Sequence, residues 1–455
     1  MAVIAVRRFR SGVSRRSTDS RAYAWAMWRR SGAFERGLGL IALVALAVRG
    51  AYAVWNRAFL VQGDAMTFHQ VAQHLADGAG FIQPFTVPVQ PTAEHPPLWE
   101  VVLAGADLIG ANGYLSHRLL GALIGTVTVV LSGLLARAAA GPRAGLIAAA
   151  IAAVYPILVT ADGSLMSETL YGALVAGALL VAARLRRRPS VGAALGFGAL
   201  VALAALTRGE GLGLLVLLGV PLAWWGASTW GRRAGLFAAM AVAFVAVLAP
   251  WTIRNLATFK DPVLISTNSS GVWIGANCPA VYSGPLIGSW RFQCYLPRRR
   301  GEDESQYFTR NRDAGIRYLR HHTDRLPDVM LNRVERLLDV GHVDQALFLN
   351  AAEGRPARPM RWAIRSAWVV MLLAIAGLVV LARRRSDVLW ILLAPIVLVL
   401  VTALATYGNT RFRQGAEPSL VVLAGIALEA GWAWLSVRRA ARTSAPASPV
   451  APFSA

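Results

Sequence analysis

The stretch "LGLIALVALAVRGAYAVWNRAFLVQGDAM" (residues 38–66) joins an apolar run to a carboxylate directly behind it. The run near 38–56 has the roughly twenty residues that an α-helix needs to cross a bilayer core about 30 Å thick. Asp64 follows at a Gly-Asp step. Because charges beside a bilayer are costly and tend to mark sites, the stretch predicts a membrane helix that delivers Asp64 to the membrane surface.

The composition of the 455-residue chain indicates a polytopic membrane protein. Hydrophobic residues make up 56% of it and charged residues only 15%, whereas a soluble domain carries about 25% charged residues. The net charge is +22, and Lys260 is the only lysine. The arginines lie in short clusters between apolar runs, whereas a nucleic-acid-binding face would concentrate them on one polar domain. We therefore expect membrane lipids, and no nucleic acid, as partners.

Apolar runs of span length predict a mostly α-helical protein with about ten transmembrane helices. If the N-terminus is cytoplasmic, every predicted inner turn is basic, as the positive-inside rule requires. Both termini are then cytoplasmic, and the two large outer segments are 57–114 and 252–361. The predicted spans lie near 38–56, 115–136, 144–161, 168–183, 191–206, 211–227, 234–251, 362–381, 387–406 and 418–436.

The same pattern divides the chain into five parts. We expect a disordered basic tail (1–36), a transmembrane catalytic module (37–251), a small mixed extracytoplasmic domain (252–361), C-terminal transmembrane helices (362–437) and a disordered cytoplasmic tail (438–455).

The outer segments carry structure of their own. In the first, the apolar spacing of residues 66–75 predicts a short interfacial helix, and a second helix is expected over 98–109. The second segment contains Cys278 and Cys294. Because an outer compartment is oxidising, we predict a disulfide between them, which contributes about 3 kcal/mol by closing the loop.

Charged and polar groups of both signs collect at the predicted outer span ends. Carboxylates beside arginines suit a phosphate-bearing ligand and a group that must accept a proton. These residues are Asp64, Glu94, His95, Arg118, Asp162, Glu168, Arg208, Glu210, Arg254, Arg411, Arg413 and Glu417.

A series of short motifs from Arg49 to about Leu423 resembles the GT-C superfamily of integral-membrane glycosyltransferases, which includes the protein O-mannosyltransferases and the lipid A aminoarabinose transferase. The order of the motifs and their outer placement carry the resemblance. They are the Gly63-Asp64 step, "HPPLW" (95–99), "HRLLGALIGTVTVVL" (117–131), "SLMSETLYGAL" (164–174), "LAALTRGEGL" (203–212), "APWTIRN" (249–255), "ISTNSSGVWIGAN" (265–277) and "RFRQGAEPSL" (411–420).

The resemblance implies a polyprenyl-phosphate sugar as donor and a lipid, glycan or protein as acceptor. An acceptor hydroxyl attacks the anomeric carbon in one inverting displacement, so the protein must supply a base for the hydroxyl and cations for the departing phosphate. Asp64 matches the family's candidate base, with a helix N-cap as the alternative. An Arg- and Ala-rich, Lys-poor composition suggests a high-GC bacterium, so we expect the protein in a bacterial inner membrane. The basic inner turns predict that its active site lies on the outer face.

The other site residues are expected to bind donor phosphate or acceptor. Glu168 matches a second family acid, and its alternative role is to complement the dipole of the helix that it begins. Ala65 stands where some members carry another acid, so a divalent cation (Mg²⁺ or Mn²⁺) would fall to Asp64 and Glu168. The remaining candidates are Glu94, His95, Arg118, Arg208, Glu210, Arg411 and Arg413, of which Arg208 and Glu210 have a structural pair as their alternative.

Two other functions are compatible with a polytopic chain. A flippase for a polyprenyl-linked sugar should show repeated halves and polar groups at the membrane midplane. The sequence shows no such repeat, and its polar groups cluster at the outer ends. A non-catalytic scaffold would not require Asp64, Glu168 and arginines on one face.

Overall fold

The protein is described by a computed structural model, which covers the backbone of residues 17–443 and the side chains of residues 32–439. Within that range the chain is helical and contains no named strand; one isolated bridge joins Ile82 to Pro91. The α-helices are α1 (Ser17–Trp55), α2 (Gly63–Ala76), α3 (Leu98–Asp107), α4 (Tyr114–Ala140), α5 (Pro142–Val154), α6 (Pro156–Asp162), α7 (Glu168–Arg187), α8 (Val191–Ala205), α9 (Val220–Gly226), α10 (Trp230–Thr258), α11 (Asn268–Ala276), α12 (Glu304–His321), α13 (Leu326–Leu338), α14 (Val343–Ala352), α15 (Ala357–Arg383), α16 (Leu389–Ala405), α17 (Thr410–Arg413) and α18 (Glu417–Thr443).

Every predicted span corresponds to helix, although not every helix has span length. Seven helical stretches among the described residues are long and apolar enough to cross a membrane, and α5 with α6 makes an eighth if that pair, bent by 55°, is one span. The apolar helices α8 and α16 are shorter, with 15 and 17 residues. The total of ten spans therefore stays a prediction. The seven stretches are Gly32–Ala58, Tyr114–Ala140, Glu168–Arg187, Gly209–Gly226, Trp230–Thr258, Ala357–Arg383 and Glu417–Arg439.

The ends of the long helices form two groups, which differ in the residues that they carry. One group, called here the site end, carries Asp64, Glu168, Arg208 and Arg411, which contact one another. The opposite group, called the basic end, has the arginine-rich connections near 137–143, 184–188, 232–233 and 383–385.

Two sequence predictions about the ends of the chain are wrong in part. Helix α1 begins at Ser17, so residues 17–36 of the predicted disordered tail are helical. Helix α18 likewise continues to Thr443, because both apolar runs extend into residues that favour helix. The predictions for residues 1–16 and 444–455 lie outside the described residues.

The predicted mixed domain (252–361) is helical instead. Helices α11 to α14 lie within it, and 3₁₀ turns and irregular segments connect them. The Gly-, Ser- and Pro-rich part that suggested extended structure forms 3₁₀ turns at Pro279–Val281 and Gly284–Leu286, which such residues favour. Cys278 and Cys294 are joined by a disulfide.

A buried ion pair holds the first span against the bent pair α5–α6. Pro156 has no N–H, so the last carbonyls of α5 lack helical donors. The fully buried Arg49 side chain donates to the carbonyls of Ala152 (3.0 Å) and Ala153 (2.8 Å), and its Nε donates to Asp162 Oδ2 (2.6 Å). This pairing with Arg49 gives Asp162, which the sequence had placed near the site, a structural role instead.

Replacing Arg49 by Met should destabilise the protein by about 3–5 kcal/mol, because it leaves the buried Asp162 carboxylate unpaired. The measurement is thermal or denaturant unfolding in detergent. Arg57→Met, at an exposed position just past the same helix, should change stability by less than about 0.5 kcal/mol. Equal effects of the two substitutions would contradict the assigned role of Arg49.

Candidate active site

A cleft of about 500 Å³ opens at the site end of the helices. Its walls come from the start of α2, the segment 94–96, the segment 207–212, the segment 262–273 and the residues that surround α17. The volume is within the range of small-molecule sites, roughly 300–1,000 Å³. Charged side chains converge on one part of it, and hydroxyl, aromatic and aliphatic side chains cover the rest.

Arg411 is at the centre of the charged part. Its Nη1 donates to Asp64 Oδ2 at 2.8 Å and to Glu353 Oε1 at 3.3 Å, and its Nε donates to Glu168 Oε1 at 2.6 Å. Asn409 caps the short helix α17, because its side-chain Oδ1 accepts a hydrogen bond from the Arg411 amide N–H. This cap fixes the backbone position from which the Arg411 side chain extends. Three carboxylates from distant parts of the sequence therefore share one cation.

Arg208 extends the cluster on the side of α7. Its Nη1 donates to Glu168 Oε1 at 2.7 Å and its Nε to Glu210 Oε1 at 2.6 Å. Glu168 is the first residue of α7 and is fully buried, so the carboxylate receives two arginines at a helix N-terminus, where negative charge is favoured. Arg208 and Glu210 are thus both an ion pair and part of the cleft lining.

Asp64 lies in the first turn of α2 and does not occupy its N-cap position, which is Gln62. The side chain is 35% exposed and lines the cleft. Burial raises its pKa, but the positive charge of Arg411, and then that of His95, outweighs burial, so the pKa of Asp64 is below its usual range. Asp64 is therefore an ionised carboxylate that faces the cleft.

His95 and Glu94 form the wall beside Asp64. His95 Nε2 is 3.9 Å from Asp64 Oδ1, and its ring packs on Phe68 of α2 with centroids 4.6 Å apart. Glu94 accepts a hydrogen bond from Gln83 Nε2 at 2.7 Å. Both residues line the cleft, as the "HPPLW" motif had suggested.

Glu304 of α12 anchors that wall. Its carboxylate accepts hydrogen bonds from Thr92 Oγ1 (2.7 Å), Ala93 N (2.8 Å) and Thr267 Oγ1 (2.9 Å). Burial, and then the negative charge of Glu94, raises the pKa of Glu304 to about 7. One buried acid thus ties the segment before His95 to the start of α11.

Two predicted phosphate ligands are not at the cleft. Arg118 is fully buried and donates to the carbonyls of Asn56 and Phe59. Arg413 is buried between Glu417 (2.8 Å) and Asp339 (2.9 Å). Arg413 faces away because residues 411 and 413 lie about 200° apart around a helix. Arg118 and Arg413 therefore have structural roles, and not the predicted role of binding donor phosphate or acceptor at the cleft.

Glu353 is a site residue that the sequence did not reveal. It follows α14 in a segment without a recognisable motif. The sequence could have indicated it only as an acidic residue close to the start of the predicted span that became α15. The fold brings it to Arg411 Nη1, the same nitrogen that donates to Asp64.

The position of Arg411 also affects the predicted divalent cation at Asp64 and Glu168. It lies between Asp64 and Glu168 and donates to both, so both carboxylates are already paired with a guanidinium. Among the described side chains, no group of three or more His, Cys, Asp or Glu has an arrangement that could hold a metal ion.

Comparison with known proteins confirms the predicted resemblance to the GT-C superfamily. Residues 94–254 match the family model "Dolichyl-phosphate-mannose-protein mannosyltransferase". No curated protein matches the sequence.

Solved structures agree on the fold. The chain resembles the oligosaccharyltransferase AglB from Archaeoglobus fulgidus in complex with an inhibitory peptide and a dolichol-phosphate, with a TM-score of 0.56 and 13% identity over 94% of this chain and 53% of AglB. The apo form of that enzyme gives a TM-score of 0.54, with 14% identity over 90% and 52% of the two chains. The chain therefore spans about half the length of these structures and shares their fold.

The raised pKa of Glu304 makes stability depend on pH. Because its folded-state pKa is about 7 against a usual 4.5, its contribution is complete below the usual value and is lost as pH rises through 7. We expect the free energy of unfolding to fall by roughly 3 kcal/mol at most between about pH 5 and pH 8, and Glu304→Gln to remove this decline.

Glu302→Gln is the matched control for this titration. Glu302 lies two residues away and pairs with Arg310, which lowers its pKa. Chemical unfolding of the two variants across the pH range measures the effect. A decline that persists in Glu304→Gln would show that another group titrates.

Proposed function

We propose that this chain, a relative of the GT-C glycosyltransferases, is an inverting glycosyltransferase that moves a sugar from a polyprenyl-phosphate donor to an acceptor hydroxyl. The observation that carries the proposal is the cleft at the site end, where Asp64 faces the cavity while Arg411 and Arg208 lie beside it. A base and two guanidinium groups beside one cavity are the groups that this reaction needs.

In the proposed reaction, Asp64 removes the proton of the acceptor hydroxyl as that oxygen attacks the anomeric carbon. The bond from the anomeric carbon to the phosphate oxygen breaks, and the electron pair stays on the phosphate. Asp64 suits this role because it is ionised and open to the cleft. His95 lies on the other side of Asp64 from Arg411 and would orient the carboxylate or contact the donor.

Arg411 and Arg208 are the proposed ligands of the donor phosphate. A guanidinium forks onto phosphate oxygens and stays charged at any working pH. Burial opposes the charge on Arg411, but its three carboxylate neighbours raise the pKa of Arg411 further. The donor phosphate would share these arginines with the carboxylates that hold them, so Glu168 and Glu210 would act as positioning groups for the two cations.

The remaining walls suit the rest of the two substrates. Leu212, Leu264 and Phe412 give the cleft an apolar side, and both leucines are strongly exposed, which suits a prenyl chain that enters from the bilayer. The segment 266–270 contributes hydroxyl and amide groups, with Trp273 beyond it, which suits a hydroxylated acceptor.

The orientation remains part of the proposal. The basic end of the helices would be cytoplasmic by the positive-inside rule, so the cleft would open on the outer face of the plasma membrane. A bacterial inner membrane is consistent with the composition.

The test is sugar transfer by the purified protein in membranes that contain a labelled polyprenyl-phosphate sugar. Asp64→Asn should lower the rate of transfer by about a hundred- to ten-thousand-fold, because the acceptor proton loses its base, while the donor still binds. Asp77→Asn, at the other end of α2, is the matched control and should keep wild-type activity.

The outcomes separate the candidate functions. Transfer that survives Asp64→Asn unchanged would exclude Asp64 as the base. A wild-type protein that moves lipid-linked sugar across vesicles, but transfers none, would instead identify a flippase. A protein that does neither would fit a scaffold.

A further inference from the structure

The charged cluster contains more acid than the two arginines of the cleft can neutralise. Arg208 and Arg411 lie among four carboxylates, those of Asp64, Glu168, Glu210 and Glu353. The buried Arg355 adds a third positive charge that acts on Glu168 and Glu353, so the carboxylates still outnumber the guanidinium groups. A donor phosphodiester would add one more negative charge. Because an unbalanced charge in an enclosed site is costly, such a site tends to change protonation instead.

The hydrogen bonds indicate which acid is neutralised least. Glu168 receives two arginines at 2.7 Å or less, and Asp64 receives Arg411 at 2.8 Å with His95 close by. Glu210 receives Arg208 at 2.6 Å.

Glu353 differs from these three acids. Among the described side chains it pairs with Arg411 alone, through a bond of 3.3 Å to Oε1, and its buried Oε2 has no hydrogen-bond partner among the described atoms. Of the three carboxylates that pair with Arg411, that of Glu353 therefore makes the weakest hydrogen bond to it.

The charged and titratable groups that face Glu353 shift its pKa in opposite directions. Burial raises its pKa, Arg411 of α17 and Arg355 of its own segment lower it, and the charges of Glu168 and Asp64 raise it again, with the net pKa above the usual range. Tyr407 also faces it and is held neutral, because burial raises the pKa of Tyr407 to about 12. If a phosphate takes over Arg411, the largest charge that favours the Glu353 carboxylate is lost.

The segment that carries Glu353 is held firmly in place. The Gly354 carbonyl accepts from Asn56 Nδ2 at 3.1 Å, and Gly354 has φ +82° beside Ser164, where a side chain would be strained. The buried Arg355 donates to Asn350 Oδ1 at 3.3 Å. These contacts fix the turn that holds the Glu353 carboxylate beside Arg411.

We propose that Glu353 takes up one proton from solvent when an anionic phosphate binds at Arg411, and so releases Arg411 to that phosphate. Glu353 acts through Arg411 and is a positioning residue for the reaction. The inference rests on the proposed use of Arg411 as a phosphate ligand, and it adds a proton to the donor-binding step.

The test uses a methyl polyprenyl phosphodiester, which carries one negative charge at all pH values of interest and has no second proton to lose. Its binding to the full-length protein in detergent is measured by titration calorimetry in buffers of different ionisation enthalpy, from about pH 5 to pH 8. The wild type should take up as much as about one proton, and its Kd should rise by up to about tenfold per pH unit in that window.

Three variants assign the proton. Glu353→Gln should bind the diester with no proton uptake and with a pH-independent Kd. Glu353→Asp should still take up a proton, with its midpoint moved to lower pH, because an aspartate carboxyl is the stronger acid. Glu335→Gln, a glutamate of α13 outside the cluster, should behave as the wild type.

Each result decides the question. Uptake that persists in Glu353→Gln would assign the proton to His95 or Asp64 and overturn the proposal, as would wild-type binding without any uptake. If Glu353→Gln does not fold, Glu353→Asp decides. An unchanged pH midpoint of proton uptake would overturn the proposal, and a lowered midpoint would support it. Failure of the proposed function is distinct, since the wild type would then transfer no sugar, whether or not it binds the diester.

Discussion

The arrangement of the candidate site depends on one guanidinium. Arg411 joins a carboxylate behind the first span (Asp64), one at the start of α7 (Glu168) and one before α15 (Glu353). A single delocalised cation with five donors can do this, whereas a lysine ammonium provides only one charge centre. The elements that meet at the cleft are therefore held in register by the same group that is proposed to bind the donor phosphate.

Buried arginines serve the rest of the fold in a second way, as donors to helix C-termini. The last carbonyls of a helix have no intrahelical partner, and in an apolar bundle water cannot supply one. Arg49 donates to the end of α5, Arg333 to Leu404 of α16 and to Ala276 of α11, and Arg413 to Leu337 of α13. At these three positions the forked guanidinium can bond more than one acceptor in a fixed geometry, which a lysine ammonium would not do.

The sequence predicted the helices well because span-length apolar runs and their basic flanks are local signals. It also predicted Asp64, His95, Glu168, Arg208 and Arg411 as a group, since motif order places them at one end. It could not separate Arg411 from Arg413, because two residues of spacing reverse the direction of a helical side chain. Nor could it find Glu353, whose role follows from a turn pinned by Asn56, almost three hundred residues away.

The pairing at the site also sets what a substrate must do to bind. Every guanidinium that faces the cleft already donates to a carboxylate at 2.8 Å or less. If the site binds a donor phosphate, as proposed, that phosphate would not meet free cations but would exchange with acids that are held in place. Such an exchange favours a ligand that carries a full charge and two suitably spaced oxygens, and it discriminates against neutral sugars and lipids that lack phosphate. The same acids hold the arginines in position, so in the proposed function specificity and pre-organisation would have one physical origin.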